Sequence, residues 1–240
     1  MSSYIFDVET DGFLDVVSKV HCIVLKDVDT NTMIHLPVKE AVAKLEKADL
    51  IIGHNIIKYD IPVLQKLYGF DFKNKILDTI VATRLLFPDV KEKDFQRKDF
   101  PRDCIGRHSL KAWGNRIGNY KAQFETDWKT YSPEMLDYCT QDVEVTYNLW
   151  KMIEQKGYSQ QAMDLEHEVS LLIFKQESYG FSFDTDGAKQ LYSKLQSRRL
   201  ELEDELQNLF PPKTLKTPFI PKVNNKARGY VKGETFYKEK

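Results

Sequence analysis

The chain has 240 residues, of which 42% are hydrophobic and 30% are charged, and its formal net charge at pH 7 is −1. This composition supports one large folded domain, or one domain with an appendage, and it excludes a chain that is disordered throughout. It also excludes a protein held in a membrane by a hydrophobic helix, because no apolar run approaches the ~18 residues that such a helix requires.

The N-terminal half of the chain is predicted to mix strands and helices. Short apolar runs bounded by turns predict four strands, at residues 4–8, 20–28, 31–36 and 50–52. Helical spacing of apolar residues predicts four short helices, at residues 38–47, 60–68, 78–87 and 108–117. The charged stretch at 88–107 lacks periodicity and is predicted to be a long loop.

The C-terminal half is predicted to be helical. Ser132 is a good N-cap and Pro133 a good first residue for a long helix that ends near Gly157. From about residue 161 the apolar spacing predicts another helix, and the leucines at 191–209 predict a heavily charged one after it. Strands followed by interspersed helices are typical of an α/β fold, here a mixed sheet flanked by helices with a C-terminal helical appendage.

We therefore expect three parts: a domain at residues 1–157, a helical extension at 158–210 and a flexible tail at 211–240. The tail carries eight basic and two acidic side chains, whereas the rest of the chain is acidic overall. Such a segment is either a contact for a polyanion or simply solvated, and its composition leaves both readings open.

Two carboxylates end the first predicted strand. Asp7 and Glu9 are two residues apart on an otherwise apolar strand, so their side chains face the same way. Two like charges held close together are costly unless a cation lies between them. Taken alone, the pair is equally well explained as an ordinary solvated strand end.

Further acids stand at the start of one predicted helix and on a face of another. Asn55 and Asp60, in HNIIKYD, follow a strand and precede a helix, where an aspartate often serves only as a cap. Tyr138 and Asp142 are four residues apart and share a helical face beside the apolar stripe. Taken alone, that pair would more often make a structural hydrogen bond.

In this order the residues resemble the three motifs of the DEDD exonuclease superfamily, D-x-E, N-x-x-x-[FY]-D and Y-x-x-x-D. The tyrosine in the third motif is typical of the DEDDy (DnaQ-like) branch, whose fold is ribonuclease H-like. More specifically, the chain resembles the N-terminal proofreading exonuclease of family A DNA polymerases from T-seven-like podoviruses. This resemblance lies in HNIIKYD, LDTIVATRL, HSLKAWGNRIG, MLDYCTQDVEVT and DLEHEVSLLIFKQESYGFSFDT. Polymerase activity is not expected here, and a stand-alone protein, a split polymerase gene and a truncated polymerase remain alternatives.

The resemblance implies 3′–5′ hydrolysis of DNA to nucleoside 5′-monophosphates, with two divalent cations, Mg²⁺ or Mn²⁺, as cofactors. It makes Asp7, Glu9, Asp60 and Asp142 metal ligands and, together with Tyr138, catalytic residues. Asp7 would bridge the cations, Glu9 and Asp142 would complete the site of the attacking water, and Asp60 would hold the second cation. Tyr138 would orient the nucleophile, because a phenol with a pKa of ~10 is a poor general base at neutral pH.

The resemblance also implies contacts to a single-stranded 3′ end. Thr10 would contact the terminal sugar, Asn55 would lie near the entering strand, and Phe13 would wedge against the terminal bases. A plain turn or core role for Phe13 is an equal alternative. The loop predicted at 88–107 offers basic side chains that would either follow a phosphate backbone or lie in solvent. These are Lys91, Lys93, Arg97, Lys98, Arg102 and Arg107.

The leading hypothesis is a 3′–5′ exodeoxyribonuclease that proofreads for a phage DNA polymerase. One alternative is a 3′–5′ exoribonuclease, because RNA-processing members share the same carboxylates. Another is a non-catalytic module that binds DNA or a polymerase. A separate polymerase subunit would be a partner, docked on the C-terminal helices and the basic tail. The scattered cysteines and the lack of a secretory signal favour the cytoplasm, that of the host cell if the chain is phage-encoded.

Overall fold

The computed structural model describes residues 2–120, 127–211 and 216–239, which form two compact units, residues 1–180 and 181–240. The strands of the first unit are β1 (Ser3–Thr10), β2 (Val20–Asp27), β3 (Met33–His35), β4 (Leu50–Gly53) and β5 (Lys75–Asp78). Its helices are α1 (Val38–Glu46), α2 (Asp60–Tyr68), α3 (Thr79–Leu86), α4 (Val90–Phe95), α5 (Leu110–Ile117), α6 (Pro133–Lys156) and α7 (Gln160–Tyr179). The second unit contains α8 (Thr185–Leu209), β6 (Lys216–Phe219) and β7 (Phe236–Glu239).

One mixed sheet forms the centre of the first unit. Its strand order is β3-β2-β1-β4-β5, in which β1 is antiparallel to β2 and parallel to β4, and β4 is parallel to β5. Because β1 and β4 are parallel, their carboxyl ends lie at the same edge of the sheet. The mixed sheet and its flanking helices confirm the predicted α/β fold.

Helices cover both faces of this sheet, and β1 divides its side chains between them. Successive residues of a strand point to opposite faces. Phe6 packs in one core cluster with Leu45 of α1 and Leu64 of α2, whereas Ile5 packs in the other with Val143 of α6. The strand period therefore directs the row that begins at Ile5 and continues through residues 7 and 9 toward α6.

The stretch predicted as a long loop at 88–107 contains regular structure. It includes α4 and a short 3-10 turn at Arg102–Cys104. The buried carboxylate of Asp94 accepts hydrogen bonds from the backbone N–H of Gly106 at 2.9 Å and from Arg116 Nη2 at 2.7 Å. This anchoring explains the difference, because a buried ion pair orders a segment without leaving any apolar period in its sequence.

The second helix of the C-terminal half belongs to the first unit. Within the helical extension predicted at 158–210, α7 packs on α3 and β5, where Met163 and His167 are buried, whereas α8 belongs to the second unit. The compact unit consequently extends to Gly180. Among the described residues, no helix is long and apolar enough to cross a membrane.

The second unit contains more regular structure than was predicted. α8 begins at an N-cap formed by Asp184 and exposes its leucines. The segment expected to be a flexible tail includes β6 and β7, which pair antiparallel, and the rings of Phe219, Tyr230 and Phe236 pack together beside them. The residues of β6, KTPF, and of β7, FYKE, form neither an apolar run nor a regular alternation, so the sequence pattern could not reveal these strands.

Candidate active site

The carboxyl end of β1 carries the first pair of predicted acids on the sheet face that meets α6. One ligand atom from each of Asp7, Glu9 and Cys139 lies within 4.8 Å of the others. Cys139 belongs to α6, and its thiol donates a hydrogen bond to the carbonyl oxygen of Asp7 at 3.4 Å. The two carboxylates therefore converge, as the strand period predicts, and α6 closes over them.

A cavity of about 170 Å³ brings together side chains from three distant parts of the sequence. Six residues singled out from the sequence line it: Asp7, Glu9, Asn55, Asp60, Tyr138 and Asp142. They come from β1, from the connection between β4 and α2, and from α6. The same lining also includes Val8, His54, Tyr59 and Trp128.

Asp60 is a strongly perturbed acid of this cavity. It is the first residue of α2, and its side chain is almost fully buried. Burial, followed by the nearby charge of Asp7, raises the pKa of Asp60 well above its usual value. The nearby backbone N–H groups of Asp60 itself and of Val8 favour the ionised carboxylate and lower its pKa, but they are outweighed. Since burial and a like charge both disfavour the ionised form, the site has the electrostatics of a cation site.

Asn55 lies on a sharply turned segment between β4 and α2. Its backbone φ is +68°, in the left-handed region where residues with side chains are uncommon. The carboxylate of Asp78 accepts hydrogen bonds from the backbone N–H groups of Asn55, at 2.7 Å, and of Ile57, at 3.0 Å. The buried carboxylate at the end of β5 therefore holds the turn through two hydrogen bonds.

Thr10, the last residue of β1, and Phe13, in the turn after β1, are absent from the described lining of the cavity. The Tyr59 hydroxyl donates to the carbonyl oxygen of Gly12 at 2.6 Å and contacts Thr10 Oγ1, so Thr10 is tied to the turn after β1. Phe13 is 81% exposed, which excludes a core role and leaves its ring accessible. Whether either residue touches a substrate stays a prediction.

His54 and Trp128 also line the cavity, and no role is predicted for either from the sequence. His54 Nδ1 lies 2.8 Å from Thr79 Oγ1, and that hydroxyl donates to the carbonyl oxygen of Gly53 at 3.1 Å. The ring of Trp128 packs edge-on against Tyr138, with 5.8 Å between centroids. His54 is the first residue of the motif HNIIKYD, and this position could have identified it. Trp128 belongs to no motif and to no periodic pattern.

Comparisons with known proteins show a family relationship. A family model described as 3′-5′ exonuclease matches residues 6–157. The DNA-directed DNA polymerases of Escherichia phage T7 and Enterobacteria phage T3 are each 30% identical to the chain over 257 residues, covering 85% of this chain and 36% of theirs. The chain thus spans little more than a third of the length of these relatives. A solved structure of Brucella melitensis NrnC with bound Mg²⁺ shares 20% identity, with a TM-score of 0.47 over 72% of this chain and 80% of that one.

Proposed function

The chain belongs to the 3′–5′ exonuclease family, and from this premise we propose that it hydrolyses DNA from the 3′ end and releases nucleoside 5′-monophosphates. The catalytic set of the proposal is the DEDDy set: Asp7, Glu9, Asp60, Tyr138 and Asp142. The observation that supports it is the convergence of these five side chains on one cavity, although the chain separates the first from the last by more than half its length.

The acids of the cavity fit divalent cations of the Mg²⁺ or Mn²⁺ class. Such cations prefer hard oxygen ligands, and the carboxylates of Asp7 and Glu9 approach each other while the buried Asp60 lies near the charge of Asp7. In the proposal, these three acids and Asp142 hold two cations. When bound, the cations neutralise charge on the scissile phosphate and render a water molecule nucleophilic.

Other side chains of the cavity, together with two at the end of β1 and in the turn after it, position the reactants in the proposal. The Tyr138 hydroxyl orients the attacking water, and the edge-on contact with Trp128 restricts the orientation of the Tyr138 ring. Asn55 lies at the entrance of the substrate strand, and Thr10 contacts the terminal sugar. The exposed ring of Phe13 offers a face on which terminal bases stack regardless of their sequence.

The proposal of DNA as the substrate draws on the polymerase relatives. The similarity to two DNA polymerases runs over 85% of the chain, which includes α7 and extends beyond the matched exonuclease segment. Proofreading for a DNA polymerase is the corresponding role. The competing candidate, an exoribonuclease, would use the same four carboxylates, and substrate preference therefore has to be measured directly.

A ladder assay tests this proposal. The chain is incubated with a 5′-labelled single-stranded DNA and with RNA of the same sequence, in Mg²⁺ or in EDTA. Asp142→Asn serves as the inactive variant, and Asp137→Asn, an exposed position on the same helix, serves as its matched control. We expect a descending DNA ladder that requires metal, disappears in Asp142→Asn and persists in Asp137→Asn.

Each departure from that pattern has a defined meaning. Degradation of RNA with no degradation of DNA would replace the proposed substrate. Activity in EDTA, or in Asp142→Asn, would refute the proposed chemistry. Proofreading is tested on a paired primer whose 3′ end is matched or mismatched, and faster removal of the mismatched nucleotide is expected because frayed ends enter the cavity as single strands.

We also propose a polymerase core as the partner of the second unit. α8 exposes Leu191, Leu195, Leu202, Leu206 and Leu209, an apolar stripe of a kind that soluble proteins usually cover. The polymerase relatives are much longer than this chain, which makes a polymerase core the fitting cover. Co-elution with a family A polymerase core that lacks its exonuclease domain, lost in Leu202→Lys, would support the proposal. Independent migration of the two proteins would refute it.

A further inference from the structure

A buried carboxylate outside the described lining of the cavity supports the segment that carries the second motif. Asp78, the last residue of β5, is 1% exposed. Its Oδ1 accepts hydrogen bonds from the backbone N–H groups of Asn55, at 2.7 Å, and of Ile80, at 3.0 Å. Its Oδ2 accepts one from the N–H of Ile57 at 3.0 Å. One side chain thus joins the start of α3 to the turn before α2.

This turn controls the position of two proposed functional residues. Asn55 holds its left-handed backbone conformation while its N–H points at Asp78. The turn continues directly into α2, where the N–H of Ile61 donates to the carbonyl oxygen of Ile56 at 3.0 Å. Movement of the turn would therefore displace both Asn55 and the first residue of α2, Asp60.

α7 holds the same region from its outer side. His167 is buried, its Nε2 accepts a hydrogen bond from the backbone N–H of Asp78 at 2.8 Å, and its Nδ1 lies 2.8 Å from the carbonyl oxygen of Met163. Because Nε2 accepts, Nδ1 carries the proton and donates to Met163. A second contact joins Glu177 of α7 to Lys58 in the turn, with 2.6 Å between Oε2 and Nζ.

We propose that Asp78 and His167 are positioning residues for the exonuclease reaction. Asp78 fixes the turn through its carboxylate, and His167 fixes the backbone of Asp78 from α7. Together they set the placement of Asn55 toward the substrate and of Asp60 toward the cation site. This inference rests on the proposed function, since it assigns the two residues a part in that reaction.

Two variants remove these contacts while changing little else. Asp78→Asn leaves one oxygen acceptor where the carboxylate offered two, and His167→Leu removes the acceptor for the Asp78 N–H. Groups that hold a ligand or substrate residue in place typically change affinity or rate about 10–100-fold when they are replaced. We expect the half-saturating Mg²⁺ concentration and the KM for single-stranded DNA to rise within that range, and His167→Gln to recover part of the loss.

Matched controls separate positioning from a general effect on folding. Asp27→Asn alters a carboxylate that also accepts two backbone N–H bonds, from Asp29 and Thr30, but in the turn after β2. His35→Leu makes the same exchange as His167→Leu at an exposed residue of β3. Both controls should keep the wild-type KM and Mg²⁺ dependence. A variant that is merely less folded would lower kcat and leave KM unchanged.

Two measurements read the position of the turn without turnover. Hydrogen exchange followed by mass spectrometry on peptides covering 53–59 should show faster exchange in Asp78→Asn and His167→Leu than in the controls. Anisotropy of a labelled oligonucleotide in Ca²⁺ should show weaker binding in the same two variants. Unchanged exchange in both variants would overturn the inference, as would a fall in kcat alone. A wild-type chain that degrades no DNA would instead refute the proposed function.

Discussion

Replacement of Asp60 by asparagine is expected to stabilise the metal-free protein while abolishing its exonuclease activity. Asp60 is only 4% exposed, and burial, followed by the charge of Asp7, raises its pKa well above the ordinary 3.8. The folded state therefore holds this proton more tightly than the unfolded chain does. Because of this, folding is favoured at low pH and loses that contribution as the pH rises through the folded pKa.

The expected increase in the free energy of unfolding depends on which interactions of Asp60 asparagine keeps and which it removes. Asparagine keeps a carbonyl oxygen toward the nearby backbone N–H groups of Asp60 and Val8, and it removes the buried charge beside Asp7. A substitution that removes an unfavourable buried charge from a functional site is expected to add about 0.5–2 kcal/mol to the free energy of unfolding, the usual range for a single stabilising substitution. For a unit of this size each kcal/mol raises Tm by roughly 2–4 °C, so a rise of about 1–8 °C is expected.

Thermal unfolding at pH 7.5, recorded in EDTA and in excess Mg²⁺, measures the change in stability, and the ladder assay measures the change in activity. Mg²⁺ should raise the Tm of the wild type more than that of Asp60→Asn, because a bound cation stabilises only the state that binds it. Activity should fall by about 10³-fold, which corresponds to ~4 kcal/mol of transition-state stabilisation. Asp137→Asn is the control. If Asp60→Asn melted below the wild type in EDTA, the electrostatic reasoning would be refuted.

Three further changes test the surroundings of the site. Tyr138→Phe should lower kcat about 10–100-fold without altering the half-saturating Mg²⁺ concentration, and a shift in metal dependence would contradict an orienting role. Asp94→Ala should lower the free energy of unfolding by about 3–5 kcal/mol in urea titrations, because Arg116 then keeps a buried, unpaired charge; a loss below 1 kcal/mol would show the pair to be solvated. Burial, followed by the charges of Arg116 and Arg84, lowers the pKa of His108 to about 4. Wild-type Tm should therefore fall as the pH drops from 6.5 toward 4, and His108→Asn should fall less; equal slopes would count against this assignment.

The sequence pattern predicts the acids of the site better than it predicts their supports. The i, i+2 spacing of Asp7 and Glu9 places them on one face of β1, and the i, i+4 spacing of Tyr138 and Asp142 places them on one face of α6. Because these spacings depend only on local backbone geometry, they predict correctly which side chains share a face, and the structure brings all four side chains to one cavity. The role of Asp60 could be predicted only from the family resemblance, because an acid at the start of a helix is more commonly a cap.

Contacts between distant parts of the chain leave no such period. Asp78 and His167 are 89 positions apart, and neither differs in the sequence from an ordinary cap or an ordinary helical histidine. The anchoring of Asp94 by Arg116 is equally invisible, which is why residues 88–107 read as a loop. β5 was missed for a related reason, since only two apolar residues, Ile76 and Leu77, lie between its charged ends and present no recognisable alternation.

The order of the motifs along the chain follows from the topology of the sheet. β1 lies between the antiparallel β2 and the parallel β4, and ligands of open α/β sheets bind outside the carboxyl ends of the strands. The carboxyl end of β1 supplies the first two acids, and the connection after the parallel strand β4 delivers Asn55 and Asp60 to the same edge. The row of β1 that begins at Ile5 faces α6, and one turn of that helix adds Tyr138 and Asp142. The period of β1, the parallel pairing of β1 with β4 and the helical period of α6 thus bring the acids together independently. No stretch of the sequence has to be rich in acidic residues for this to happen. A chain of nearly neutral composition can therefore hold a cavity lined by four acids.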